Sequence, residues 1–287
     1  MELPRASAAL QEPTEEGESR PASQDRVGRT LATGVSCHLM IFIGWSKSRN
    51  KFDLLHVCYL GFGRDLIGSM LVITSKLWYP RASLERGLAE LFVNFRTWCR
   101  TRRISCTMKV FSLSTVGMQS SGERVFPVLS SRIKAAKVRT MIKWMVQVAR
   151  ESRHLDGTAS ENRYIMMSEL GKFIHLCGTD GIFMVHAEAA VKNGRAFLLA
   201  YQAEVERNHK LNKLLFKVRP KLHYFSHLID FLSETRENPA SQDTFLYESF
   251  CGKVKRIVAK THRDTSGVRG PQRYLLALAV RWRSLPR

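Results

Sequence analysis

Residues 52–77, FDLLHVCYLGFGRDLIGSMLVITSKL, contain the pattern on which the architecture of this chain depends. A short apolar segment meets two glycines, Gly61 and Gly63, which mark a turn. Beyond the turn, apolar residues recur every three or four positions, which is the spacing of one helix face. These residues are Leu66, Met70, Ile73 and Leu77. The stretch therefore predicts a short segment, a glycine turn and a helix.

Amphipathic helical patterns cover most of the remaining chain. The clearest are residues 84–100 and 131–150, where apolar residues fall three and four positions apart. Further helices are predicted over residues 161–176, 182–215, 221–233, 245–260 and 271–282, the last opened by Pro271. Residues 107–128 mix Ser, Thr, Gly and Pro with scattered apolar residues and predict a loop. The predicted fold class is mainly α, with at most a small β element.

Composition suggests how the domains are organised. Residues 1–30 are rich in Glu, Ser, Pro and Ala and lack an apolar period, so they predict a disordered tail. Residues 31–287 predict a single helical domain, with one candidate sub-boundary at residues 156–160. The run CHLMIFIGW at residues 37–45 fits a strand or the start of a buried helix, because short apolar runs do not separate the two.

The chain is strongly basic, with a formal net charge of +20. Such a charge favours a polyanionic partner, which makes DNA or RNA the expected ligand. The charge could instead reflect genome composition or a poorly selected reading frame. Eight cations on the polar sides of two predicted helices are the candidate phosphate contacts, and a merely solvated surface is the alternative. They are Lys134, Lys137, Arg139, Lys143, Lys253, Lys255, Arg256 and Lys260.

An intracellular location, compatible with the nucleus, is expected. The six cysteines include no CxxC pair, so they predict buried small residues and neither a zinc ribbon nor a redox motif. Residues 1–27 lack the apolar core of a secretory signal, so we do not expect secretion. The apolar stretches at residues 39–45 and 66–77 are shorter than a membrane span. We expect no membrane partner and no small-molecule cofactor.

Three acidic residues, Asp53, Asp65 and Glu248, are candidates for metal chemistry. Mg²⁺ prefers hard oxygen ligands, and phosphoryl chemistry needs carboxylates gathered from distant segments. The alternative for each is an ordinary residue that caps a helix or compensates its dipole.

Several histidines are weaker candidates. His223 and His227 lie four residues apart and would share one helix face, where they could hold a transition metal, or a phosphate if protonated. His56 is a lone histidine beside apolar neighbours. The sequence from Gly61 to Arg64 lacks the third glycine of a dinucleotide fingerprint and the Lys-Ser/Thr ending of a phosphate loop.

Several motifs carry a resemblance to a known family. They are FDLLHVCYLGFGRDLIGS, RPKLHYFSHLID with the NP that follows it, YESFCGKVKRIVAKTH and QRYLL, joined by LFVNFRTWCRTRRI and SSRIKAAKVRTMIKWM. Through them the chain resembles, over most of residues 52–282, a multicopy dinoflagellate family that is itself similar to transposase-derived proteins with a ribonuclease-H-like core.

The resemblance implies a metal site built from Asp53, with His56 beside it, and Glu248. In an active protein these two acids would be the catalytic ligands of Mg²⁺ in phosphodiester attack. The family usually has an acidic triplet around Glu248, whereas this chain has Tyr247, Glu248 and Ser249. The aspartate of an early strand is also missing between the predicted tail and Asp53.

The resulting prediction is a transposon-derived, nucleic-acid-associated protein, present as an inactive or truncated remnant. Mg²⁺ is the expected cofactor if it is active, and none is expected otherwise. One alternative is a non-enzymatic basic helical module that binds nucleic acid or an acidic protein. The other is a decayed reading frame without selected activity.

Overall fold

The computed structural model describes residues 53–283 except 121, 123, 179–182, 243, 245–250, 252–253 and 263–264. These residues belong to one compact unit. The predicted tail at residues 1–30 and the apolar run at residues 37–45 lie outside the described residues. Of the candidate sub-boundary at residues 156–160, Asp156 lies in a turn, and residues 157–160 form the first turn of the helix Gly157–Cys177.

The described residues form a π-helical segment and seven α-helices. The π-helical segment is Leu55–Phe62, and the α-helices are α1 (Gly63–Trp78), α2 (Leu84–Thr101), α3 (Ala135–Glu151), α4 (Gly157–Cys177), α5 (Phe183–Lys210), α6 (Pro220–Thr235) and α7 (Ser266–Arg283). Two 3₁₀ turns occur at Leu113–Val116 and Pro239–Gln242, and residues 254–258 are also helical. No strand occurs among the described residues, and the predicted mainly α fold is confirmed.

Helix α1 lies at the centre of the fold. It is buried on almost every side, as expected of a helix that is apolar around most of its circumference. Helices α2 and α3, the π-helical segment and the turn at Leu113–Val116 pack around it. Leu55–Trp78 is long and apolar enough to cross a membrane by length and composition alone, but 83% of its most apolar window is buried inside the protein. The absence of a membrane partner stays a prediction.

The predicted glycine turn is a kink between two helical segments. Gly61 has non-helical dihedral angles (φ −95°, ψ −121°), and helical structure continues on both sides of it. A Cβ atom at Gly61 would lie 2.9 Å from the His56 carbonyl oxygen and 3.0 Å from Cβ of Lys221. Glycine therefore lets α6 approach the kink closely. The segment before the glycines, left unassigned by the sequence, is helical.

The two clearest sequence patterns form helices close to the predicted bounds. Helix α2 begins after Ser83, whose side chain accepts the N–H of Arg86 at 3.3 Å. Helix α3 begins at Ala135, four residues later than predicted. The preceding carbonyls are used elsewhere, because Arg64 Nη2 donates to the carbonyl oxygens of Ser131 (2.9 Å) and Ile133 (3.0 Å).

Three other helix limits were wrong. Helix α4 begins at Gly157, four residues before the predicted start at residue 161. Helix α5 ends at Lys210 rather than residue 215, because the chain turns at Asn212, which has a φ of 51°. The last helix begins at Ser266, so Pro271 lies inside it instead of opening it. The described residues of the range 107–128 form the predicted loop, except for the short 3₁₀ turn.

Helices α4 and α5 form an antiparallel pair. Asn162 of α4 donates to the Ala200 carbonyl oxygen at 3.0 Å, and Gly194 lies against Phe173 farther along the pair. Helix α6 packs across α5 and the π-helical segment. Its Phe225 contacts three other phenylalanines, with ring centroids 5.0 to 5.6 Å away. These are Phe62, Phe173 and Phe197.

A second aromatic cluster fills the space between α2, α3 and the loop before the first 3₁₀ turn. Phe111 from the loop packs against Phe92 and Phe95 of α2 and against Trp144 of α3. Trp144 Nε1 donates to Asn94 Oδ1 at 2.9 Å, so the polar atom of this buried ring is satisfied.

Most cysteines follow the prediction of buried small residues. Cys58, Cys99 and Cys177 are buried, and Cys106 is half-buried. Cys251 is exposed, so the prediction is wrong for that residue. Cys37 lies outside the described residues.

Replacing Gly68 with alanine tests the packing of α1. The new Cβ would lie 2.6 Å from the Pro127 carbonyl oxygen and 2.9 Å from the Val128 nitrogen, and backbone atoms cannot move aside cheaply. We expect Gly68→Ala to lower the free energy of unfolding by about 1–3 kcal/mol in urea titrations. Gly267→Ala in α7, where nothing lies within 4 Å, is the control and should be neutral or slightly stabilising. Equal stabilities of the two variants would contradict this packing.

Candidate nucleic-acid interface

The outer side of α3 is cationic. Arg139, Lys143 and Arg150 are exposed and follow one another at intervals of four and seven residues, so they lie on one side of the helix. We call these three residues the α3 basic face. They extend over about 16 Å of helix axis. The opposite side of α3 is buried and contributes Val138, Met141, Ile142, Met145 and Val148 to the core.

The end of α2 adds another cation beside this face. Arg102 Nη2 donates to Gln147 Oε1 at 3.0 Å, and its guanidinium lies 4.7 Å from the centroid of the Trp98 ring. Trp98 Nε1 donates to the same oxygen at 3.0 Å. Gln147 lies between the second and third cations of the α3 basic face, so Arg102 is held at its border. The Gln147 amide also donates to the Glu151 carboxylate at 2.7 Å.

The predicted cations of this helix do not all share one side. Lys137 and Arg139 are two residues apart and therefore point about 200° apart around the axis. Lys134 is exposed just before the helix, and Lys137 is half-buried. Within the described part of the chain, neither lysine forms an ion pair. Lys134 and Lys137 thus form a separate flank of α3.

The second predicted group of cations is only partly described. Lys255, Arg256 and Lys260 are exposed, as expected for solvent-facing positions. The carbonyl oxygen of Lys260 accepts a hydrogen bond from Arg273 of α7 at 2.8 Å. Lys253 lies outside the described residues. A role for this group in phosphate binding stays a prediction.

Asp53 is held by four hydrogen bonds at the start of the π-helical segment. One carboxylate oxygen accepts the backbone N–H groups of Leu55 (2.9 Å) and Thr244 (3.3 Å). The other accepts the Thr244 hydroxyl at 2.6 Å and hydrogen bonds with His56 Nδ1. Burial raises the pKa of Asp53, but these hydrogen bonds outweigh burial and bring it below its usual value. Asp53 therefore caps a helix and anchors the segment at residue 244.

The resemblance pairs Asp53 with Glu248, which lies outside the described residues. A metal site shared by the two acids stays a prediction. His56 is exposed beside Asp53, as expected from the motif. Among the described residues, no group of three or more His, Cys, Asp or Glu side chains is arranged to hold a metal ion.

The histidine pair of α6 has the expected geometry. The Nε2 atoms of His223 and His227 lie 3.0 Å apart, and both side chains are exposed on the same side of the helix. The sequence spacing therefore predicted their proximity correctly. A pair supplies only two ligands, so binding of a metal or a phosphate here stays a prediction.

Asp65, the third acidic candidate, belongs to the core. It is 1% exposed, and Arg219 Nε donates to its Oδ1 at 3.0 Å. Its Oδ2 accepts no hydrogen bond from the described residues. Burial raises the pKa of Asp65 to about 6, against the opposing effect of Arg219, Lys217 and Arg64. The ion pair between Asp65 and Arg219 joins α1 to the residue immediately before α6.

Comparison with known proteins adds no relative. No family model, no curated protein and no solved structure matches this chain.

Two cations of the interface were missed by the sequence analysis. Arg150 follows Lys143 by seven residues, which is two helical turns, so the period of the helix could have identified it. Arg102 follows the end of α2, and its position beside Gln147 depends on how α2 and α3 pack. No pattern along the chain indicates that contact.

The raised pKa of Asp65 predicts a specific pH dependence of stability. Its pKa is about 6 in the folded state against 3.8 unfolded, so the folded state takes up a proton as the pH falls through 6 while the unfolded state stays ionised. The wild type should therefore gain about 1 kcal/mol relative to Asp65→Asn between pH 7 and pH 5. Urea denaturation across this range measures it. Asp230→Asn, an exposed control on α6, should keep the wild-type trend, and parallel curves for wild type and Asp65→Asn would contradict the prediction.

Proposed function

We propose that this chain is a transposon-derived, nucleic-acid-associated protein that contacts phosphate backbones through the α3 basic face and has lost catalytic activity. The observation that supports the proposal most directly is the alignment of Arg139, Lys143 and Arg150 on one exposed side of α3. The transposase origin follows from the sequence resemblance alone.

The spacing of these cations suits a strand of nucleic acid. One strand of a duplex has a phosphate about every 3.4 Å, so the face of about 16 Å could follow four or five of them. Lysine and arginine contacts of this kind neutralise phosphates without distinguishing bases. Affinity is therefore expected to depend on salt and hardly on sequence.

The charges around the interface also favour an external anion. Several acids of the chain are engaged with cations elsewhere, such as Glu161 with Arg153 and Glu169 with Lys172. Among the described residues, Lys143 and Arg150 have no carboxylate within ion-pair distance. A phosphate strand would supply the missing counter-charge.

The surroundings of Asp53 support the loss of catalysis. Each of its two carboxylate oxygens already accepts two hydrogen bonds, so a Mg²⁺ ion would have to displace donors from the helix start and from Thr244. The acidic triplet around Glu248 is also reduced to a single acid. Both features favour a binding protein over a nuclease.

The salt dependence of binding tests the α3 basic face. For a duplex of about 30 base pairs, log K should fall steeply with log [salt] between about 50 and 200 mM. The variant Arg139→Ala/Lys143→Ala/Arg150→Ala should reduce the magnitude of this slope by about 3, because each lost phosphate contact removes about one unit. Fluorescence anisotropy titrations measure both quantities.

A charge-matched control separates this face from general attraction. The variant Arg86→Ala/Lys192→Ala/Lys210→Ala removes three exposed cations scattered over α2 and α5. It should leave the slope nearly unchanged. Equal effects of the two variants, or binding that ignores salt, would defeat the proposed interface.

A cleavage assay tests the proposed loss of activity. With Mg²⁺ or Mn²⁺, the wild-type protein should leave supercoiled and linear DNA uncut and unjoined. Asp53→Asn is preferred to Asp53→Ala, because alanine would remove the helix cap and cost about 1 kcal/mol of stability. Cleavage or strand transfer that disappears in Asp53→Asn but persists in Asp230→Asn would show that the chain is an active enzyme.

A further inference from the structure

A cleft of about 460 Å³ opens beside the C-terminal half of α1. Its volume lies in the range of small-molecule sites. One wall is apolar, with side chains from α1, the start of α2 and two loops. They are Val72, Ile73, Leu77, Leu84, Met118, Val125, Leu214 and Leu215.

The rest of the lining is strongly cationic. Five basic residues line the cleft, namely Lys76, Arg124, Arg163, Arg207 and Lys213. Among the described residues, Asp156 is the one acidic residue that lines the cleft. Glu204 is buried behind Arg163 and Arg207. Five cations against two carboxylates leave a surplus of three positive charges.

The two carboxylates neutralise the inner arginines. Asp156 lies 2.7 Å from Arg163 and 3.5 Å from Arg207, and Glu204 lies 3.5 Å from Arg163. Arg163 is 3% exposed, so its charge is fixed in place by these partners. Burial raises the pKa of Asp156, but Arg163, Arg207 and Lys213 outweigh burial and lower it. The surplus charge therefore belongs to the rim, at Lys76, Arg124 and Lys213.

The loops that position the rim are anchored to the core. Arg124 Nη2 donates to Asn212 Oδ1 at 3.3 Å and joins the two loops across the cleft. The Lys213 N–H donates to the Asn208 carbonyl oxygen at 2.8 Å, and the Phe216 N–H donates to the Ser69 hydroxyl of α1 at 2.8 Å. The Arg124 guanidinium and the backbone that carries Lys213 are thus held in place before any ligand arrives, which lowers the entropic cost of binding.

We propose that this cleft binds a small ligand that joins one or more phosphates to an apolar body. The apolar wall would receive the body, and Lys76, Arg124 and Lys213 would bind the phosphates through charge-assisted hydrogen bonds. A nucleoside triphosphate and a phosphorylated lipid share this chemistry. No residue of α3 lines the cleft, so the site is independent of the proposed nucleic-acid interface.

Three probes distinguish the possible sources of the ligand. Inorganic triphosphate has the charge without a body, ATP adds a nucleoside, and dioctanoyl phosphatidic acid adds a lipid body. Isothermal titration of the full chain should give saturable binding of at least one of the last two below about 1 mM. If ATP binds more tightly than phosphatidic acid, the site is assigned to nucleotides. If phosphatidic acid binds more tightly than ATP, the site is assigned to lipid phosphates.

Variants at the exposed rim test the charges without disturbing the core. Arg124→Gln and Lys213→Gln should each weaken binding about tenfold, as expected for one charge-assisted hydrogen bond. Lys210→Gln is the matched control, because this exposed lysine is three residues before Lys213 and does not line the cleft. Val125→Phe should reduce the space beside the apolar wall. It should therefore weaken binding of the preferred ligand and leave the affinity for triphosphate unchanged.

The triple alanine variant of the α3 basic face should keep full affinity for the ligand, so failure of one proposal can be told from failure of the other.

Three results would overturn the cleft proposal. They are no saturable binding of any probe, triphosphate binding as tightly as ATP and phosphatidic acid, or equal losses in Lys213→Gln and Lys210→Gln.

Discussion

The burial of α1 is the constraint on which the rest of this structure depends. A helix that is apolar on almost every side has no face to give to water, so other elements must cover it all round. Helices α2 and α3 cover part of it, and the loop at Pro127 and Val128 approaches its backbone at Gly68. The one acid in its buried first turn, Asp65, is compensated by Arg219, which follows it by 154 residues in the chain. Most cations are excluded from this packing and lie on the surface, and several of them are on the exposed side of α3.

Much of the fold could be predicted from the sequence, because its helices are amphipathic. The stripes of α2 and α3 indicated both helices to within a few residues, since burial of one side dictates a period of 3.6 residues. The predicted ends of helices were wrong where a residue distant in sequence determined them. At the start of α3, Arg64 donates hydrogen bonds to carbonyl groups of the predicted first turn. The predicted ends were also wrong where a single residue adopted an unusual conformation, as at Asn212. Neither event leaves a periodic signal in the chain.

The sites were less predictable than the fold. The spacing of Arg139 and Lys143 indicated a shared side because both belong to one helix, and the same was true of the histidine pair. The cleft could not be predicted, because its lining comes from α1, α2, two loops and the ends of α4 and α5. The hydrogen bonds of Asp53 were likewise not predictable, because Thr244, which donates to it, is 191 residues away in the chain. Contacts over such distances follow from tertiary packing, which local patterns do not encode.

The position of Phe225 has a consequence for how this molecule is made. Its ring completes a cluster whose first member, Phe62, is synthesised more than 160 residues earlier. During translation, the side of Phe62 that contacts Phe225 therefore stays uncovered until α6 leaves the ribosome. Loop closure over this length is slow, and exposed apolar surface invites aggregation during the delay. Chaperones that shield nascent chains would thus be expected to matter more for this protein than for a helical bundle built from neighbouring segments.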